Sequence, residues 1–249
     1  MRILVCNDDG IDAPGLGVLA QAARMLASEV FVVAPARKWT AASHQLSFDR
    51  DLTLARRDVR EYICSGAPAD CVVAAMTLLF ADGNKPDLVL AGVNDKLNVA
   101  EDIAYSGTMA IAREATFWDV PAIGFSRDAT AAADAGVAAI GRIAGLLWER
   151  RQDWRADGCW LSVNLPPVLP AALAEAHLGH DKLGSASEIV ARSADVTTFR
   201  LVRGRPESSS PGDERAIVAS GRVSVLRHGW RNGTLVGAPA LDAWNRALR

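Results

Sequence analysis

Cysteine is scarce in this chain: 4 residues in 249, at Cys6, Cys64, Cys71 and Cys159, none of them in a C-x-x-C pair. Each sits in or beside an apolar run, so buried, reduced thiols are expected in place of a disulfide framework or a zinc-thiolate site, which suits the cytoplasm. Uncharged apolar runs of roughly 18 residues are absent, so no bilayer span is expected. The amino terminus carries one Arg and then a short apolar run ending on acids, unlike a secretory signal or a transit peptide. An excess of positive charge is missing too. Lys+Arg 27 against Asp+Glu 29 gives a net charge of -2, which offers polymeric nucleic acid and anionic membranes no general attraction. Local donors for a small anion remain.

Also lacking is G-x-G-x-x-G after the first apolar run, which argues against a nicotinamide dehydrogenase. What is present is an ordinary globular composition, 50% hydrophobic and 22% charged, enough for one substantial core and a smaller appendage. Residues 2–6 read as a short buried strand. Over 15–27, Leu16, Leu19, Ala20, Ala23 and Leu26 recur at helical spacing, and 29–34 (EVFVVA) is the next strand. Strand, helix and strand in so short a span make a βαβ unit with parallel pairing. The pattern recurs: a strand at 61–64 before a helix opened by Pro68 and Asp70, one at 87–91 before a helix over 106–118, one at 122–125 before an Ala-rich helix over 131–151, and one at 159–163. Such alternation predicts a doubly wound, mostly parallel α/β sheet, whose sites lie outside the carboxyl ends of the strands. After Pro166-Pro167 the texture changes. Residues 188–202 and 216–226 look extended and alternating, the polar stretch 205–214 separates them, and the closing PALDAWNRALR has helical propensity. We therefore expect an α/β core over 1–167 and a hairpin-rich extension over 168–249.

The first strand ends on Cys6-Asn7-Asp8-Asp9-Gly10. At about 5 Å and an effective dielectric of about 20, two carboxylates repel by about 3 kcal/mol, so a cation is expected between them. A turn needs one acid; two suit a hard cation. The loop after the second strand, A-P-A-R-K-W-T-A-A-S-H, offers Arg37, Lys38, Thr40, Ser43 and His44. A third loop runs Ala91-Gly92-Val93-Asn94-Asp95-Lys96-Leu97-Asn98. Tyr105-Ser106-Gly107-Thr108 opens a helix with free backbone N–H groups and two hydroxyls, the chemistry of a phosphate cradle or of a plain N-cap. All four segments belong on one rim of the sheet. Acids, hydroxyls and amides without a thiolate favour Mg²⁺ or Mn²⁺, and with it phosphoester chemistry.

Residues 7–15, N-D-D-G-I-D-A-P-G, resemble in full the opening motif of the SurE family, the survival-protein 5'-nucleotidases. VVAPARKWTAAS, SGAPADCV, PDLVLAGVN and YSGT continue the resemblance, with weaker stretches in WLSVNLP and PGDERAIVASGRVSV. It implies a SurE-like fold holding one divalent cation per subunit on Asp8, Asp9, Thr40 and Asn94. Phosphate contacts would fall on Ser43, Asn98, Ser106, Gly107 and Thr108. The implied reaction is metal-dependent hydrolysis of a nucleoside 5'-monophosphate to nucleoside and phosphate, with Asp8, Asp9, Asn98 and Ser106 as catalytic residues and Asp9 activating water. A homodimer or homotetramer with exchanged carboxyl-terminal hairpins is implied as well.

The chain departs from the family pattern at Ala36 for Asp, Thr40 for Ser, Ala41 for Gly and His44 for Asn. In the G-x-N-x-G-x-N-x-G run, Lys96 and Ala100 replace glycines. If φ is positive at either position, a side chain there costs about 1 kcal/mol. Lys96 either contacts phosphate or neutralises Asp8, Asp9 or Asp95. A reading from a different class is a non-catalytic nucleotide-binding or regulatory protein, which keeps the fold and has lost turnover through this loop. A covalent aspartyl-phosphate is disfavoured, because its usual signature separates two Asp by one residue. His177 and His180, in HLGH, lack a third ligand nearby and read as surface or packing residues. His228, after the strand VSVL, either packs or approaches a neighbouring active site.

Overall fold

In the strand β1 (Arg2–Cys6), Ile3 and Val5 face one core while Leu4 and Cys6 face another. A strand that is apolar on both faces belongs inside a sheet covered on both sides. The same division holds in β2 (Glu29–Pro35), where Val30 and Val32 oppose Phe31 and Val33. The structure, a computed structural model, describes residues 1–131, 136–180, 184–203, 209–231, 244 and 246.

The further strands are β3 (Leu54–Asp58), β4 (Glu61–Cys64), β5 (Leu88–Asn94), β6 (Ala122–Arg127), β7 (Cys159–Leu165), β8 (Leu173–Glu175), β9 (Gly184–Arg192), β10 (Thr197–Arg203) and β11 (Val223–Gly229). Nine of them form one sheet in the order β3-β4-β2-β1-β5-β6-β7-β11-β8. The run β4-β2-β1-β5-β6-β7 is parallel throughout, while β3 and β11 join it antiparallel. From β1 the chain moves outward to β2 and β4, then returns to place β5 on the other side of β1. That reversal is a topological switch point, where the loops leaving β1 and β5 part and open a crevice.

The helices α1 (Pro14–Arg24) and α5 (Val137–Glu149) cover one face, and α2 (Pro68–Ala74) and α4 (Gly107–Phe117) the other. Proline at the first turn of α1 and α2 presets φ where no N–H partner is needed. Shorter helices are α3 (Asp102–Tyr105), α6 (Arg151–Trp154) and α7 (Glu214–Ala219). The doubly wound α/β sheet expected from the sequence is therefore present.

Two expectations need correction. The helix expected from Ala131 begins at Val137 after a left-handed Gly136, and residues 132–135 lie outside the described ones. The segment 216–226 is not one extended stretch. Asp213 caps α7 by accepting from the Ala216 amide at 2.7 Å, and only from Val223 does the chain become strand. Residues beyond 167 also contribute β8 and β11 to the main sheet. What stands apart is the β9–β10 hairpin, with exposed Ile189, Val190, Phe199 and Leu201. The expected terminal helix lies, apart from Trp244 and Arg246, outside the described residues. All four cysteines are free. Among the described residues no helix is long and apolar enough to cross a membrane.

Candidate active site

Beyond β1, Asn7 locks the turn: its side-chain amide donates to the Gly10 carbonyl at 2.8 Å and its Oδ1 accepts from the Gly10 amide at 3.3 Å. Gly10 has φ 105°, a conformation that side chains resist. The turn sets Asp8 and Asp9 at the floor of a cavity of about 300 Å³ over the switch point. Lys38, Trp39 and Thr40 from the loop after β2 form one wall, Asn94 to Asn98 after β5 another, and Asp102, Tyr105 and Ser106 close it.

Asp8 is buried, and burial, the largest cause, pushes its carboxyl up to about 6. Thr108 opposes this by donating its hydroxyl to Asp8 Oδ1 at 2.6 Å. The first turn of α4 abuts the same acid: a Cβ at Gly107 would stand 2.7 Å from Asp8 Cβ and 2.9 Å from Pro68 Cγ. Only glycine lets the positive end of the helix come so near. Asp9 is ion-paired with Lys38 Nζ, which also lies 2.8 Å from Asp95 Oδ2. Burial works against the ammonium, but Asp9 and Asp95 outweigh it and hold Lys38 up at about 12. Lys38 thus supplies a positive charge to one of the paired acids, Asp9. Lys96 lines the cavity without an ion pair to any described residue, so of its two expected roles the neutralising one is taken by Lys38, at Asp9 and Asp95.

Of the residues implied by the resemblance, Asp8, Asp9, Thr40, Asn94, Asn98 and Ser106 line this one cavity. Asn94 Nδ2 donates to the Lys96 carbonyl at 2.6 Å, which turns its acceptor oxygen to other use. Asn98 is fixed from three sides: its backbone exchanges hydrogen bonds of 3.0 Å with the Asn164 side chain, and its Nδ2 donates to Ser126 Oγ at 2.7 Å. Ser106 caps α4, its Oγ accepting from the Met109 amide at 3.2 Å. Ser43, Gly107 and Thr108 stand behind the lining. Ser43 Oγ donates to the Ala104 carbonyl at 2.7 Å and ties the loop after β2 to α3, while Gly107 and Thr108 both act on Asp8.

Among the described residues no three His, Cys, Asp or Glu side chains converge, so a cation here would rest on two carboxylates supplemented by amide and hydroxyl oxygens. An all-oxygen donor set around acids that already attract one ammonium suits a hard divalent ion. The residues present fit Mg²⁺ or Mn²⁺.

The departures from the family pattern have structural consequences. Ala41 and Ala100 take φ of 53° and 52°, so both side chains sit where glycine is preferred. Ala100 is held by Glu214 of α7, whose buried carboxylate accepts from the amides of Ala100 at 3.4 Å and Gly179 at 2.7 Å. His44 packs on Phe117 and its Nε2 lies 2.7 Å from buried Glu114. His228 stacks on Trp160 and meets Ser162 Oγ at 2.8 Å within its own chain. His180 pairs with Glu101, and His177 contacts the Pro211 carbonyl at 3.0 Å, and among the described residues neither belongs to a cluster of three metal-ligating side chains. Sequence reasoning named the loops that carry Asp95 and Tyr105 without giving either a site role, and missed Asp102 in the lining and Asn164, Ser126 and Glu214 behind it. For Lys38 there was a signal, since the acid pair required a cation and the neighbouring loop held one.

The family described as "Survival protein SurE" matches residues 3–185. The chain is 39% identical over 245 residues to the 5'-nucleotidase SurE of Cereibacter sphaeroides (strain ATCC 17029 / ATH 2.4.9), covering 90% of this chain and 92% of that protein. It is 34% identical over 243 residues to the 5'-nucleotidase SurE of Paramagnetospirillum magneticum, covering 90% and 88%. The crystal structure of SurE protein from Aquifex aeolicus superposes with a TM-score of 0.81 at 25% identity, over 98% of this chain and 100% of that one.

Proposed function

The chain belongs to the SurE family, and from that premise we propose that it is a 5'-nucleotidase, a metal-dependent phosphomonoesterase releasing nucleoside and phosphate from nucleoside 5'-monophosphates. The observation that carries this reading is the gathering of Asp8, Asp9, Thr40, Asn94, Asn98 and Ser106 around one cavity at the switch point. Asp8, Asp9, Thr40 and Asn94 would hold one divalent cation, Mg²⁺ or Mn²⁺. When bound, it polarises the phosphoryl group and acidifies a coordinated water.

The chain's own residues divide the remaining work. Asp9 orients the attacking water and takes its proton. Asn98, fixed by Asn164 and Ser126, presents its side chain to the equatorial phosphate oxygens, together with the Ser106 hydroxyl and the free amides at the start of α4. Thr108 keeps Asp8 oriented and favours its ionised form, and Ser43 holds the second loop against α3. The exposed apolar side chains of the β9–β10 hairpin would cover a second copy of the chain, giving a homodimer or homotetramer.

A phosphate-release screen across nucleoside monophosphates and simple phosphomonoesters, with Mn²⁺ or Mg²⁺ and with chelator, tests the reading. Release from nucleoside monophosphates that chelator abolishes supports it. Thermal stabilisation by nucleotide without release under any metal would make the protein a binder.

A further inference from the structure

Of the two lysines that line the cavity, Lys38 is the one held in ion pairs among the described residues. Its Nζ joins Asp9 on the floor of the cavity, from the loop after β1, to Asp95 in its wall, from the loop after β5. The Asp9 side chain is 9% exposed, against 48% for Lys38 and 50% for Asp95, so a solvent-facing ammonium reaches down onto a buried acid. Arg37, the adjacent cation, is occupied on the Trp39 ring at 4.3 Å.

Resting on the metal reading above, we propose that Lys38 is the resident counter-ion of the acidic pair and sets both metal affinity and phosphate binding. Its ammonium satisfies Asp9 in place of a divalent ion. A divalent ion carries twice the charge and takes Asp9 from it, and the two cations then repel. The flexible four-carbon stem lets Lys38 yield Asp9 while Asp95 retains it at the mouth of the cavity. There its charge meets an oxygen of the substrate phosphate. The two consequences have opposite signs: the Lys38 side chain weakens metal binding and strengthens phosphate binding.

Calorimetric titration of the metal-free, full-length protein with Mn²⁺ tests this in wild type, Lys38→Met and Lys38→Arg, followed by titration of the loaded forms with inorganic phosphate. Lys38 is half-exposed, so both variants should fold. Lys38→Met should bind Mn²⁺ about tenfold tighter and, once loaded, bind phosphate about tenfold more weakly, with Lys38→Arg close to wild type in both. Unchanged or weaker Mn²⁺ affinity in Lys38→Met overturns the proposal, as does unchanged phosphate affinity. A wild type that takes up no Mn²⁺ overturns the metal reading and this proposal together, whereas normal wild-type uptake with an unaltered Lys38→Met overturns this proposal alone.

Discussion

The Thr108 hydroxyl donates to Asp8 Oδ1 at 2.6 Å, joining residues 100 positions apart. One is on the loop leaving β1, the other in the first turn of α4, so the contact fixes the acid against a helix terminus. It favours the charged carboxylate while burial, the larger effect, opposes it. Thr108→Val removes a hydrogen bond to a charged group, worth about 2 kcal/mol, so activity should fall about thirtyfold. Because protons compete with metal for Asp8, the Mn²⁺ requirement should rise most at acid pH. Thr108→Ser should retain most activity. Steady-state phosphate release against Mn²⁺ concentration, at two pH values, reads both effects.

Ala41 and Ala100 share a left-handed backbone but differ in burial, which separates their responses to glycine. Exposed Ala41→Gly should stabilise by about 0.5 kcal/mol, relief of the strained φ being partly offset by the freer unfolded chain. Ala100 is 3% exposed and a methyl group is lost from the core, so Ala100→Gly should lie near neutral. Urea unfolding of the two variants beside wild type distinguishes them, and loss of stability in Ala41→Gly would contradict the strain argument.

His228 makes the fold sensitive to acid. Burial, reinforced by the Arg113 charge, pushes its imidazole down from 6.5 to about 4. A depressed folded-state value means that the contribution is full above about pH 6.5 and is lost as pH falls toward 4. After discount for partial exposure, this amounts to about 2 kcal/mol. Wild type should therefore lose about 2 kcal/mol more than His228→Gln between about pH 7 and about pH 4.5, measured by urea unfolding. Parallel pH profiles would assign the acid sensitivity to other groups.

The proposed assembly through the β9–β10 hairpin predicts that charged substitutions at its exposed apolar positions leave the chain monomeric. Phe199→Glu combined with Leu201→Glu should reduce the sedimenting mass toward that of one chain, with little effect on the unfolding midpoint, because both side chains are exposed. An unchanged sedimentation coefficient would place the interface elsewhere.

Much of the site is legible in the sequence because it is built from contiguous motifs at strand ends. Asp8 and Asp9, Asn94 and Asn98, and Ser106 each follow or precede a recognisable element, and the sheet topology gathers them. What escaped were relationships set by three-dimensional approach. The acid pair called for a cation, but that Lys38 would supply it to Asp9 and also reach Asp95 followed only once the loops after β1, β2 and β5 were placed together. Thr108 reads as a phosphate donor beside a helix start, yet Gly107 brings α4 so near Asp8 that the hydroxyl turns to the acid. The apolar alternation over 216–226 concealed α7, although Asp213 before Glu214 was a cap signal.

The acid pair is the foundation of this account, and Asp8→Asn tests it most directly. With saturating Mn²⁺ and a nucleoside 5'-monophosphate, wild type should release phosphate and Asp8→Asn should retain less than about a thousandth of that rate, since in the proposed site this carboxylate would both bind and position the cation. Circular dichroism on the same samples should show both forms folded. Turnover by folded Asp8→Asn at the wild-type rate would contradict the assignment of Asp8 and Asp9 as the metal-bearing centre.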